Sequence, residues 1–159
     1  MTTAGMTYLS ASLEDYLEAI LNLSAGEEVA RSKDIAVTLN VAKSSVTGAL
    51  RLLARKDLVN YRPYGYVTLT AAGLAAARRV AHKHDIIKSF FTNVLGIDDA
   101  LAHDAACKAE HALGSHIVGR LGEFGEFVSQ GMEKGFDVAE QFRRFRLANG
   151  AGGGAAQHD

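Results

Sequence analysis

Cys107, Glu110 and His111 stand at positions i, i+3 and i+4 of a segment with helical periodicity, so their side chains project from one side. His103, four residues before Cys107, extends the same stripe. Thiolate, carboxylate and imidazole together suit a first-row divalent cation, and the thiolate moves preference away from magnesium and calcium. More donors lie upstream. Asp15 and Glu18 are three apart and share a face of their own helix, and His84 falls in the middle of a long helical stretch. Each residue also has a plainer role. Asp15 fits the acid of a capping box, Glu18 fits a solvated helix face, and a single cysteine or histidine commonly serves as a core or satisfied polar residue. The Cys-x-x-Glu-His cluster fits such roles poorly, because it puts three ligand types where a packed helix needs apolar residues.

Helices must carry these groups. Ser12-Leu13-Glu14-Asp15 has the form of a capping box, and Leu13, Leu17, Ile20 and Leu21 continue an apolar stripe. That predicts a helix to about Leu23, stopping near Gly26. A second, short helix is expected from Arg31 to Leu39, then a break at Asn40-Val41. A third follows from Ala42 to Arg55, with Val46, Ala49, Leu50 and Leu53 inward. Short helix, tight turn and longer helix make a helix-turn-helix. Leu58 to Leu69 sets β-branched and aromatic residues around Pro63 and Gly65, which predicts a β-hairpin and hence a wing. Thr70 caps a long helix that carries His84 through Ile86, Ile87, Phe90 and Phe91 and ends by Gly96. A fifth helix begins at Asp98 or Asp99 and reaches about Leu113, and a sixth runs from Ser115 to about Phe127. Gly135 to Leu147 can form one more, and NGAGGGAAQHD has nothing to bury. The expected fold class is mainly α. A winged helix-turn-helix domain (three helices plus a β-hairpin wing) covers 1–73, a helical domain 74–147, and a disordered tail 148–159.

Charge agrees with a nucleic-acid partner. The net charge is only -1, yet Arg31 to Lys83 contains ten Lys/Arg against Asp34 and Asp57 alone. The third helix presents Ala42, Lys43, Ser44, Ser45 and Thr47 at its start and Arg51 further along, the end that enters a major groove. Its hydroxyls and terminal amides suit phosphate oxygens, although Ser44 and Ser45 also fit plain capping. Arg62 and Tyr64 of the wing suit the DNA backbone or minor groove. No Asn or Gln stands at the helix start, so contact of Ala42 with thymine methyls and DNA shape carry much of the expected specificity. No apolar stretch approaches the ~20 residues of a membrane span, and MTTAGMTYLS lacks the marks of a signal peptide. One cysteine excludes an intramolecular disulfide and suits a reducing compartment, so a cytoplasmic location is expected.

Leu9 to about Phe127 resembles the DtxR/MntR family of iron- and manganese-dependent repressors. The resemblance rests on Leu13-Glu14-Asp15-Tyr16-Leu17-Glu18-Ala19-Ile20, Val46-Thr47, Lys56-Asp57-Leu58-Val59, Leu69-Thr70-Ala71-Ala72-Gly73, Lys83-His84-Asp85 and Cys107-Lys108-Ala109-Glu110-His111. It implies a homodimer, assembled through 74–147, that binds double-stranded operator DNA when loaded with Fe(II) or Mn(II) and lowers expression of metal-uptake genes. It also implies that Asp15, Glu18, His84, Cys107, Glu110 and His111 are metal ligands, with His103 an accessory ligand and two ions per subunit possible. The chain is a hybrid. Asp15 and Glu18 are similar to the manganese-type pair, whereas Cys107 is similar to the iron type. Lys88 replaces a carboxylate of the iron-type accessory site, and too few residues follow Phe127 for the iron type's SH3-like domain. The thiolate favours Fe(II), with Mn(II) next. No small organic ligand and no membrane partner are expected. Two other classes are weighed against this reading: a winged-helix regulator sensing an oxidant or small ligand through Cys107, and a metalloenzyme, which no nucleophile-base pair or cofactor motif supports.

Overall fold

The computed structural model describes residues 9–25, 29–62 and 66–150, and the chain divides into two compact units, Met1–His82 and Lys83–Asp159. In the first, α1 (Ala11–Ser24) buries Leu13, Tyr16, Leu17, Ala19 and Ile20, the spacing of an amphipathic helix. Its cap is Ser10, whose hydroxyl accepts from the Leu13 N–H at 3.4 Å. Ser12, expected in that place, lies inside the first turn, so Asp15 is not the acid of a capping box. Ser10 takes the role because its backbone is extended, as a capping residue's must be. The expected stop at Gly26 lies outside the described residues.

Two residues, Ala30–Arg31, form β1 and lead into α2 (Ser32–Thr38), which is followed by α3 (Lys43–Arg55). The turn between these helices depends on Asn40, at φ 51°. Asparagine is one of the few L-residues that enter the left-handed region readily. There it lets the Val41 N–H reach Ala36 O (3.0 Å) and its own N–H reach Val37 O (3.2 Å), closing α2. β2 (Val59–Tyr61) and β3 (Tyr66–Leu69) then pair antiparallel as Val59↔Leu69, Asn60↔Thr68 and Tyr61↔Val67. β1 adds to the other edge of β3, giving the order β1-β3-β2. The sheet therefore has three strands where a hairpin was expected, because two residues are too few to show alternation. Leu17, Ile20, Ile35, Val46, Leu50, Leu53 and Val67 form one fully buried core beneath α1, α3 and the sheet.

Thr70 joins the sheet to α4 (Ala71–Ser89). Its hydroxyl donates to Asp57 O (2.7 Å) and accepts from the Gly73 N–H (3.0 Å), while its own N–H donates to Leu58 O (3.0 Å). A Cβ at position 73 would fall on the Leu58 carbonyl, so only glycine fits there. After Ser89 the helix continues as one π-helical turn, Phe90–Val94, in place of the plain α-helix expected. The Thr92 hydroxyl takes the Lys88 carbonyl at 3.1 Å, which competes with the regular ladder at that point.

The second unit contains α5 (Asp99–Ala112), α6 (Ser115–Glu133) and α7 (Val138–Gly150). Ile87, Ala106 and Val118 form one of its cores, and Val94, Val128 and Ala139 another. Helix α6 passes the expected end at Phe127, because Val128 is still buried and the chain leaves the helix only at Gly135, φ 80°. Asp137 then accepts from the Glu140 N–H (2.7 Å) to start α7, later than the expected Gly135. Residues 148–150, read as part of the tail, are helical, and 151–159 lie outside the described residues. No helix among the described residues is long and apolar enough to cross a membrane.

Candidate metal centre

Packing decides which polar groups meet. Along α5, Ala102, Ala106 and Glu110 form a buried stripe at four-residue intervals. The two alanines leave room for close approach of α4, and Glu110 ends the stripe only 1% exposed. His103, Cys107 and His111 form the adjacent stripe, one residue on. In the second half of α4 the buried positions are Val80, His84 and Ile87, and Ile87 shares a core with Ala106. His84 is thereby set against the polar part of α5.

The contacts form a chain. Glu110 Oε2 is 2.9 Å from His84 Nδ1, His84 Nε2 is 3.1 Å from His103 Nδ1, and Cys107 Sγ is 3.8 Å from His103 Nε2 and 3.7 Å from His84 Nδ1. Glu110 Oε1 is 3.3 Å from His111 Nε2. An ionised carboxylate only accepts, so Glu110 fixes His84 with its proton on Nδ1 and turns the Nε2 lone pair towards His103. A carboxylate behind an imidazole is the arrangement that orients a metal-binding histidine. Donors about 2.0–2.3 Å from a shared cation stand roughly 3–4 Å from one another. One ligand atom from each of His84, His103 and Cys107 lies within 4.8 Å of the other two, a spacing that a shared divalent ion can bridge, so the residues fit such an ion.

Of the other expected ligands, Asp15 and Glu18 lie one turn apart on α1, both half-buried. Burial and, less strongly, the charge of Asp15 push the Tyr16 phenol up from its ordinary value. Lys88, one turn beyond His84, forms an ion pair with Asp99 at 2.9 Å.

Of the expected DNA-reading residues, Ala42, Lys43, Ser44, Ser45, Arg51 and Arg62 are exposed and Thr47 is half-buried. Ala42 is the N-cap of α3 and makes no side-chain cap bond, so Ser44 and Ser45, exposed in the first turn, do not cap the helix. Lys43, Arg51 and Arg62 are exposed, and the Thr47 hydroxyl donates to Lys43 O at 3.1 Å. Tyr64 lies outside the described residues. Sequence reasoning passed over Arg31, which the unexpected strand β1 places beside Tyr66. Two residues of strand give no periodic signal, and only the basic excess pointed to it.

A helix-turn-helix with a three-stranded wing, followed by helices that gather imidazole, thiol and carboxylate, defines a class: metal-dependent DNA-binding regulators. Residues 8–67 match the iron dependent repressor N-terminal DNA binding domain, and residues 70–144 match that family's metal binding and dimerisation domain. The chain belongs to the iron-dependent repressor family. It is 40% identical over 119 residues to an uncharacterised HTH-type transcriptional regulator of Methanocaldococcus jannaschii, covering 74% of this chain and 95% of that one. The MntR transcriptional regulator of Shouchella clausii is 30% identical over 133 residues, covering 84% and 92%. Among solved structures, a manganese-dependent transcriptional repressor in complex with manganese is similar, with a TM-score of 0.68 and 29% identity over 72% of this chain. The chain spans about half (53%) of that structure. IdeR of T. acidophilum has a TM-score of 0.60 and 29% identity over 69% of this chain, spanning 52% of its own. The family and these relatives are regulators of transcription, and the protein is not an enzyme. The oxidant-sensor alternative is not favoured.

Proposed function

We propose that this protein represses metal-uptake genes by binding double-stranded operator DNA as a homodimer when loaded with Fe(II), with Mn(II) the next candidate, in the cytoplasm where its DNA lies. The observation that carries the reading is the buried His84–Glu110 contact with His103 and Cys107 gathered on it, inside a segment that matches a metal-binding domain. The thiol of Cys107 favours Fe(II), and the names of the relatives favour Mn(II) as the second choice.

His84, Cys107, Glu110 and His111 hold the ion in this reading, with Asp15 and Glu18 of α1 completing the set and His103 serving an accessory place that admits a second ion. A divalent cation supplies concentrated positive charge and directional bonds that no side chain can offer. Glu110 orients His84, and the alanines of α5 keep the two helices close enough for the donors to converge. Lys88, held by Asp99, gives that end of the cluster a fixed positive charge in place of a ligand. Asp15, Glu18 and Glu110 repel one another until their charge is neutralised. Occupancy is thereby coupled to the placement of the DNA-binding domain, a linkage commonly of ~1–3 kcal/mol. Residues 1–73 act as the reading domain and 74–147 as the dimerising one. Lys43, Ser44, Ser45 and Thr47 meet the DNA backbone and base edges, Ala42 meets a thymine methyl, Arg51 follows along the groove, and Arg62 with Tyr64 engages the flank. No small organic ligand or membrane takes part.

Anaerobic DNA-binding titrations across a divalent-metal series, paired with metal counting per subunit, test this. Tightest binding is expected with Fe(II), then Mn(II). DNA affinity that ignores both chelator and added metal overturns the reading.

A further inference from the structure

Arg31 and Tyr66 are directly opposed in the β1–β3 ladder, so their side chains leave the same face of the sheet. The Arg31 guanidinium is centred 5.1 Å from the middle of the Tyr66 ring, and its Nη2 lies 3.5 Å from Tyr66 Oη. Both side chains are exposed, Tyr66 by 55%. Among the described residues no carboxylate forms an ion pair with Arg31. Tyr66 is the first residue of β3. Arg62, the residue after β2, is exposed as well.

An exposed arginine ordinarily samples many rotamers, and fixing it on a ligand costs up to about 2 kcal/mol of side-chain entropy. Placement over the Tyr66 ring removes part of that freedom beforehand. Only Nη2 approaches the Tyr66 hydroxyl, so most of the guanidinium's five N–H donors remain for an anion with paired oxygens.

We propose that Arg31 is a further contact to the phosphate backbone of duplex DNA, with Tyr66 as its positioning residue, and that the pair sets affinity without choosing sequence. The proposal rests on the DNA-binding assignment of the N-terminal domain. A phosphate contact releases counterions and carries no base information. It therefore predicts the same effect on any duplex.

The test is a titration of Mn(II)-loaded protein against a random-sequence duplex at several salt concentrations. Arg31→Ala is expected to lose roughly tenfold in affinity at low salt and to flatten the plot of log affinity against log salt by about one. Arg31→Lys keeps the charge and should keep the slope. Tyr66→Leu should weaken binding roughly two- to fivefold with the slope retained, because the charge stays and only its positioning is lost. Thermal unfolding and metal affinity should stay at wild-type values in all three. If Arg31→Ala matches wild type in affinity and slope while Lys43→Ala loses both, the Arg31 contact is overturned and the DNA-binding assignment stands. If Tyr66→Leu matches wild type, the positioning role is overturned. Wild-type protein without any salt-dependent duplex binding overturns the assignment and the contact together.

Discussion

Glu110 Oε2 and His84 Nδ1 lie 2.9 Å apart, a contact that ties α5 to α4 through two buried polar groups 26 residues apart in sequence. Burial makes the pair structural as well as chemical. At 1% exposure, loss of Glu110 takes the carboxylate from His84 Nδ1 in a dry setting.

Glu110→Ala should therefore destabilise the metal-free protein by about 1–3 kcal/mol, the cost of stranding a buried polar partner. Glu110→Gln preserves volume and a hydrogen bond to His84 and should melt close to wild type. It should nevertheless lose most of its metal-dependent DNA binding. Chemical denaturation alongside DNA titration separates the two effects. Full metal response in Glu110→Gln would reduce Glu110 to a packing residue.

Cys107 tests metal choice. Its sulfur approaches both His84 and His103, at 3.7 and 3.8 Å, and a carboxylate there makes the donor set harder. Cys107→Glu should move selectivity towards Mn(II). The readout is the ratio of metal concentrations giving half-maximal DNA binding under anaerobic conditions. An unchanged Fe(II)/Mn(II) ratio would show that the thiol does not select.

Much of this was legible in the sequence because spacing on a single helix is local information. Cys107, Glu110 and His111 had to share a side of α5 whatever surrounded them, and Thr70 marked the start of α4. His84 beside Glu110 was implied only by family resemblance, since helix–helix contact depends on Ala102 and Ala106 allowing close approach, a tertiary fact. Strand β1 was invisible for the same reason: Ala30 and Arg31 are extended because β3 offers them an edge. At Ser10 and Ser12 the ambiguity was local, and both residues suit a cap.

Lys43 and Arg62 are exposed and belong to the DNA-binding domain. Replacing either with alanine should weaken DNA binding and reduce the salt slope by about one for each phosphate left without its cation. Metal affinity, measured by isothermal titration, should stay near wild type. A variant that loses metal affinity as well would mean these residues act on the fold.

Gly73 lies against Leu58, whose carbonyl occupies the space of a Cβ. Backbone cannot yield as a flexible side chain does, so Gly73→Ala must push α4 away from the sheet or break the Thr70 bonds to Asp57 and Gly73. A loss of about 1–3 kcal/mol is expected from overpacking of this kind. Thermal melting measures it, and a variant as stable as wild type would show that the junction relaxes freely.

Glu140 gives a pH dependence away from the donor cluster. The side chains of Arg144 (Nε, 2.8 Å) and then Arg143 (Nε, 2.9 Å) donate to it and hold its carboxyl below the ordinary value of 4.5. A carboxyl depressed in the folded state binds its proton more readily when unfolded, so its contribution to stability is present above the ordinary value. The contribution is lost as pH falls through the depressed one. The stability difference between wild type and Glu140→Gln should thus be constant near neutrality and shrink on acidification below about 4.5. It should be small throughout and shrink with added salt too, because Arg143 and Arg144 are exposed. Denaturation curves over a pH series check this, and a difference that grows on acidification would reverse the sign assigned to the network.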